Sequence, residues 1–172
     1  GEVRPTNIVP VIAPNRSGAR TVFPMVWGFT LPRSSSPLVN ARAESASTKP
    51  TFKESWDRRR CIIPASYYFE CEHLIKAATG KAKTGDKYMI QPKGSAVTWL
   101  AGLYRIEDIS GIQVPVFTIL TREPNEEIRF IHDRMPVILP GDDIEKWIDP
   151  VSKPDEIIKN AMTDMVFEKI IA

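Results

Sequence analysis

Cysteine and histidine are the scarce residues of this chain. Its 172 residues include two cysteines, Cys61 and Cys71, and two histidines, His73 and His132. Two cysteines are too few for a disulfide-stapled scaffold or a cysteine-based zinc site. Two reduced, partly buried thiols are the expectation. No run approaches the roughly 20 apolar residues that cross a bilayer as a helix, and no secretory signal is visible. A soluble, cytoplasmic protein follows, nucleoid-associated if bacterial. Charge of one sign is also lacking. Lys and Arg number 23 against 21 acidic residues, a net +2. Any nucleic-acid surface must therefore be a local patch. There is no phosphate-binding glycine loop, no dinucleotide fingerprint and no nucleophile-elbow serine. Neither cofactor nor metal is expected. His73 stands in a ligand-dense stretch, but with no recognisable zinc spacing.

Proline is plentiful, at 15, and argues for turns and strand ends over a helical bundle. Strand patterns run through 7–12, 21–29, 60–63, 67–71, 87–91, 97–104, 111–120 and 135–139. Pro64 is read as a strand break, and 31–37 and 73–86 as loops. Helical patterns cover 44–47, 51–58, 125–131, 142–147 and 153–160. Thr51 with Glu54 suggests a capping box, with Phe52, Ser55 and Trp56 facing inward. Asp142 is read as an N-cap. The fold expected is α+β: a single domain over 1–172 with a curved or barrel-like, mainly antiparallel sheet and peripheral short helices.

Three segments carry candidate chemistry. In FIHDRMPVIL (130–139), His132 stands at an element junction, where an imidazole suits acid–base work. A structural histidine explains it equally well. In YYFECEH (67–73), alternation places Tyr68, Glu70 and Glu72 on one face and Tyr67, Phe69 and Cys71 on the other. Glu70 among aromatics suits a carboxyl of raised pKa, or is an exposed edge residue. In LVNARAES (38–45), Asn40 and Arg42 share a face if extended, offering an amide and a phosphate fork. The other cations include Arg4, Arg16, Arg20, Arg33, Lys53, Arg58, Arg59, Arg60 and Arg134. They interleave with Trp27, Phe29 and Trp56, a combination suited to single-stranded DNA. The DRRR run (57–60) reads equally as a solvated helix end, and Lys76, Lys81, Lys83 and Lys87 as charges that keep a loop soluble.

Taken in order, VNARAES, RCIIPASYYFE, WLAGLY, FTILT and IHDRMPVIL closely resemble the SOS-response-associated peptidase (SRAP) family, across residues 4–150. The resemblance implies sensing and shielding of abasic sites in single-stranded DNA, including single/double-strand junctions, by a monomer. It implies a cysteine directly after the initiator methionine, freed by autoproteolysis, whose amine and thiol close a thiazolidine on the ring-opened sugar. Lyase-like Schiff-base chemistry comes with it. Glu70 matches the family's glutamate, His132 its histidine and Asn40 its orienting asparagine. Arg42 and Arg134 match DNA-backbone contacts, and Thr121 a hydroxyl near the phosphates. Asn7 and Pro10 match a loop of pocket residues, Arg4 joins the DNA-facing set, and Trp27 lies in a segment that packs beside the lesion. The Cys-Gly start is not in this sequence. Its opening, GEVRPTNIVP, reads like the interior of a domain, so a preceding segment with that cysteine is expected. The alternatives are a non-covalent module for single-stranded or junction DNA and a protease acting on other proteins.

Overall fold

The computed structural model describes residues 1–32, 34–75 and 82–171. In chain order the strands are β1 (Ile8–Pro14), β2 (Arg20–Trp27), β3 (Phe29–Leu31), β4 (Ser34–Leu38) and β5 (Asn40–Arg42). Helices α1 (Ala43–Ala46) and α2 (Pro50–Arg58) follow, then β6 (Arg60–Ala65), β7 (Tyr68–Ile75), β8 (Ala82–Pro92), β9 (Thr98–Ile109), β10 (Ile112–Arg122) and β11 (Met135–Pro136). Helices α3 (Ile144–Ile148) and α4 (Pro154–Ile158) and strand β12 (Met165–Lys169) complete it.

Five strands close into a barrel. The path β10-β2-β1-β6-β9 returns to its start because β9 also pairs with β10. The pairings are antiparallel except at the β10–β2 seam, where Val116 and Phe117 lie opposite Val26 and Trp27 in parallel. β5 and β11 extend β10 beyond the barrel. A separate sheet, β12-β8-β7, stands beside it, and β3–β4 is a hairpin. This is the α+β barrel expected.

The strands lack clean polar alternation because both faces are covered. Val9, Val11 and Ala13 of β1 join one buried cluster with Cys61 and Ile63 of β6. Ile12 and Ile62, between them, join the other with Trp56 and Trp147. Gly102 is required where β9 crosses β6 and β10: a Cβ there would lie 2.6 Å from Ile63 Cδ1 and 2.8 Å from the Thr118 carbonyl oxygen.

Several local expectations are corrected. β6 runs through Pro64 to Ala65, since proline's fixed φ suits extended backbone. Most of 31–37 belongs to the β3–β4 hairpin, and 73–75 and 82–86 to the paired strands β7 and β8. Arg33, Lys76 and Lys81 lie outside the described residues. Helix α2 starts one residue before Thr51, with Pro50 in its first turn and no side-chain cap, a position where proline's missing N–H costs nothing. Residues 125–131 form successive turns. The Asn125 side chain accepts from the Ile128 N–H, and the Ile131 N–H reaches only back to the Ile128 carbonyl. Asp142 caps nothing: a 3-10 turn (Gly141–Asp143) leads into α3 with no side-chain cap.

A candidate DNA-binding cavity

β5 places its side chains at the mouth of a cavity because its parallel pairing sets Asn40 opposite Ile119 and Arg42 opposite Thr121. The cavity measures about 870 Å³. Its walls include Asn40, Arg42, Thr121, His132 and Arg134 on one side, and Ser66, Tyr67, Tyr68, Phe69 and Glu70 on the other. Trp27 and Phe117 stack at 6.2 Å between ring centroids and form part of the floor. The Trp27 indole N–H donates to the Val39 carbonyl at 3.0 Å, which fixes the ring.

Eight of the ten residues expected from sequence line this cavity: Arg4, Trp27, Asn40, Arg42, Glu70, Thr121, His132 and Arg134. Asn7 and Pro10 do not. Asn7 closes the turn that carries Arg4, its side-chain oxygen accepting from the Arg4 N–H at 2.9 Å. Pro10 faces outward opposite Pro24, while its neighbour Val9 reaches the cavity. Alternation along β1 makes the two mutually exclusive. The consecutive run from Tyr67 to Glu70 lines the wall, which the two-faced reading of that segment did not anticipate.

Burial pushes the Glu70 carboxyl above its ordinary pKa, and the nearby His132, the Cys71 backbone N–H and His73 pull only partly against it. His132 sits in the turn after Ile131 with its side chain 19% exposed. Its Nδ1 accepts the Arg134 N–H at 2.9 Å. Asp133 Oδ1 also lies 3.0 Å from it. The His73 ring packs against His132 with centroids 4.0 Å apart.

The positive groups divide sharply. Arg134 is held by both oxygens of Glu44 and by the Thr121 carbonyl. Burial opposes the Glu44 charge, but the Arg134 hydrogen bonds and its own backbone N–H outweigh it, so its pKa falls. Arg42 is exposed and has no ion pair among the described residues. Arg4 sits at 3.8 Å from Glu2, a weak surface contact. Arg59 pairs with Glu54, Arg20 with Glu145 and Lys53 with Asp57. Arg60 is 1% exposed. It donates to the carbonyls of Trp56, Trp147 and Asp149 and to the Ser152 hydroxyl. The DRRR run is thus neither a DNA patch nor a solvated helix end at its last position. Phe29 and Trp56 are buried in the core and offer no face to a base.

Sequence reasoning passed over three participants. Glu44, within VNARAES, clamps Arg134. Tyr68 projects a buried hydroxyl with no hydrogen-bond partner among the described residues, and burial raises its pKa. Phe69 carries the Lys87 ammonium over its ring at 3.9 Å. The first two lay inside motifs already singled out; the Lys87 contact needed the β7–β8 pairing.

The family model for the SOS response associated peptidase (SRAP) matches residues 2–170. The chain belongs to the SRAP family. Relatives of this SRAP chain include the abasic site processing protein YoaM of Bacillus subtilis, 34% identical over 142 residues, which are 79% of this chain and 60% of the relative. The abasic site processing protein YedK of Escherichia coli is 28% identical, over 73% of this chain and 54% of that protein. The chain thus spans about 60% of the length of the Bacillus relative. A crystal structure of a Bacteroides thetaiotaomicron protein superposes with a TM-score of 0.76 at 26% identity, covering 96% of this chain and 75% of that one. A phage-related protein of Bordetella bronchiseptica shares the fold, with a TM-score of 0.76 at 22% identity, over 99% of this chain and 81% of that one.

The covalent expectation is corrected at the cavity. Glu2, at the cavity mouth, pairs its carboxylate with Lys87 at 3.0 Å. Residues 1–5 line the mouth and include no cysteine. Cys61 is buried in the barrel wall, with its thiol pKa raised by burial. Neither Cys61 nor Cys71 lines the cavity. Thiazolidine formation needs an α-amine and a thiol on one residue, and no residue lining this cavity provides both. Among the described residues, no helix is long and apolar enough to cross a membrane.

Proposed function

We propose that this SRAP domain senses abasic sites in single-stranded DNA by non-covalent binding. One observation carries the reading: a cavity with a polar pair, Glu70 and His132, opens between aromatic walls and beside the exposed cation of Arg42. A nucleotide without a base has no stacking to give up, so turning its sugar into such a cavity costs less than extruding an intact nucleotide. Arg42 and Arg4 supply phosphate contacts, and Trp27 and the Tyr67–Phe69 pair supply apolar and aromatic surface. Asn40 and Thr121 offer hydrogen-bonding groups to the sugar and phosphates. Arg134, already clamped by Glu44, acts mainly to hold the wall in place.

Within that complex Glu70 and His132 handle protons. As the cyclic sugar opens, one group takes the proton from the anomeric hydroxyl. The other protonates the ring oxygen as the bond from that oxygen to the anomeric carbon breaks. The same cavity on a single domain spanning 1–172 serves a monomer, on gaps or single/double-strand junctions alike. The relatives named abasic site processing proteins support this reading.

Fluorescence anisotropy with one abasic oligonucleotide, its intact counterpart and a duplex tests it. Abasic single strands should bind at least tenfold more tightly than the intact duplex. Arg42→Ala should weaken binding about fivefold to tenfold, in line with one lost phosphate contact of about 1 kcal/mol. Equal affinity for all three DNAs would refute the reading.

A further inference from the structure

We propose that His73, His132 and Asp133 form a binding site for a zinc-class divalent metal ion at the edge of the cavity. One ligand atom from each residue lies within 4.8 Å of the others. The three come from two places in the chain: His73 from β7, and His132 and Asp133 from the turn before β11. The His73 backbone N–H donates to the Ile131 carbonyl at 3.1 Å, so the two segments are tied together by main chain.

The clustering of the three ligand atoms suits a single cation. His132 Nδ1 lies 2.9 Å from the Arg134 backbone nitrogen. Asp133 Oδ1 faces that nitrogen at 3.0 Å. The second imidazole, that of His73, packs alongside, with ring centroids 4.0 Å apart. Zinc bonds of about 2.0–2.2 Å place tetrahedral ligand atoms roughly 3.3 Å apart, close to the spacing already present between Nδ1 and Oδ1. Two imidazoles and one carboxylate are a ligand set that zinc accepts, with the fourth position left for water. Asp133 is 78% exposed and free to turn. Binding replaces the Arg134 N–H at Nδ1, the loss of one hydrogen bond.

The ion fixes the His132 ring and withdraws it from proton transfer; this consequence rests on the function proposed above, while the site itself does not. Metal occupancy would thus switch off the chemistry of the cavity.

Titration of the whole 172-residue chain with Co2+, followed by its visible absorption and by displacement with Zn2+, tests the site. One equivalent should bind with a tetrahedral-type spectrum. His73→Ala and Asp133→Asn should each weaken binding at least tenfold, with folding checked by circular dichroism. No saturable binding, or binding unchanged in both variants, overturns the proposal. A second arm measures trapping of the sugar aldehyde on abasic DNA by a hydroxylamine probe. Zinc should slow the protein-assisted rate in the natural chain and leave it unchanged in His73→Ala. Equal zinc slowing in both overturns the switch. A Co2+ spectrum without any protein-assisted trapping leaves the site standing and refutes the proton-handling role instead.

Discussion

Both carboxylate oxygens of Glu44 grip the guanidinium of Arg134, at 2.9 and 2.8 Å. The pair joins the first turn of α1 to the residue before β11, across the Thr121 carbonyl that also receives Arg134. A cation that resemblance assigns to the DNA backbone is therefore already engaged. Its bidentate geometry is the strong form of this contact, and its Arg134 end is only 16% exposed.

Releasing that clamp should change how the domain meets phosphate. Glu44→Gln removes one negative charge and frees the Arg134 fork. Affinity for abasic single-stranded DNA is expected to rise about fivefold at low salt, about 1 kcal/mol, the scale of one unit charge pair in water. The slope of log K against log salt should steepen by about 0.7, the increment for one added single-strand phosphate contact. Anisotropy across a salt series reads both. An unchanged slope would mean that Arg134 stays on the wall.

Glu70 makes stability depend on pH in a defined direction. Burial raises its folded-state pKa above the ordinary 4.5. The folded chain thus holds this proton where the unfolded chain has lost it. The stabilising contribution is complete below about pH 4.5 and disappears as pH rises through the folded value. Glu70→Gln should therefore be more stable than the natural chain at pH 7, with the difference shrinking toward pH 4. Urea denaturation at several pH values checks this. A variant less stable at pH 7 than at pH 4, relative to the natural chain, would contradict the assignment.

Arg60 holds the helical side of the barrel. Its guanidinium gathers carbonyls from α2, from α3 and from the turn at 149–152. It also lies 5.6 Å from the Trp147 ring centroid. Arg60→Met keeps an apolar stem but leaves those carbonyls without their donor. A loss of about 3–5 kcal/mol is expected in chemical denaturation. A loss under about 1 kcal/mol would show that water replaces the guanidinium freely.

Legibility followed the range of the forces involved. α2 was readable because Phe52, Ser55 and Trp56 repeat with the helical period, and all three are buried. β9 and β10 were readable from the apolar and β-branched residues that dominate WLAGLY and VFTIL. The 125–131 segment deceived because its apolar residues Ile128 and Ile131 fit helical spacing while anchoring a chain of turns instead. Glu70 and His132 were legible only through the order of motifs, since each alone fits a structural role.

The sequence by itself determined the family, the α+β class and the set of polar residues that crowd one cavity. Those rest on local composition and on motifs whose order survives without coordinates. Only the tertiary structure decided which of these groups are free to act. Arg134 is clamped while Arg42 is not, because Glu44 reaches one and leaves the other exposed. Pro10 faces outward because Val9 faces in. Cys61 is walled into the barrel, and His73 meets His132 across a gap that no sequence spacing encodes. Each of these depends on how strands distant along the chain are registered, and that register is set by closing the barrel as a whole.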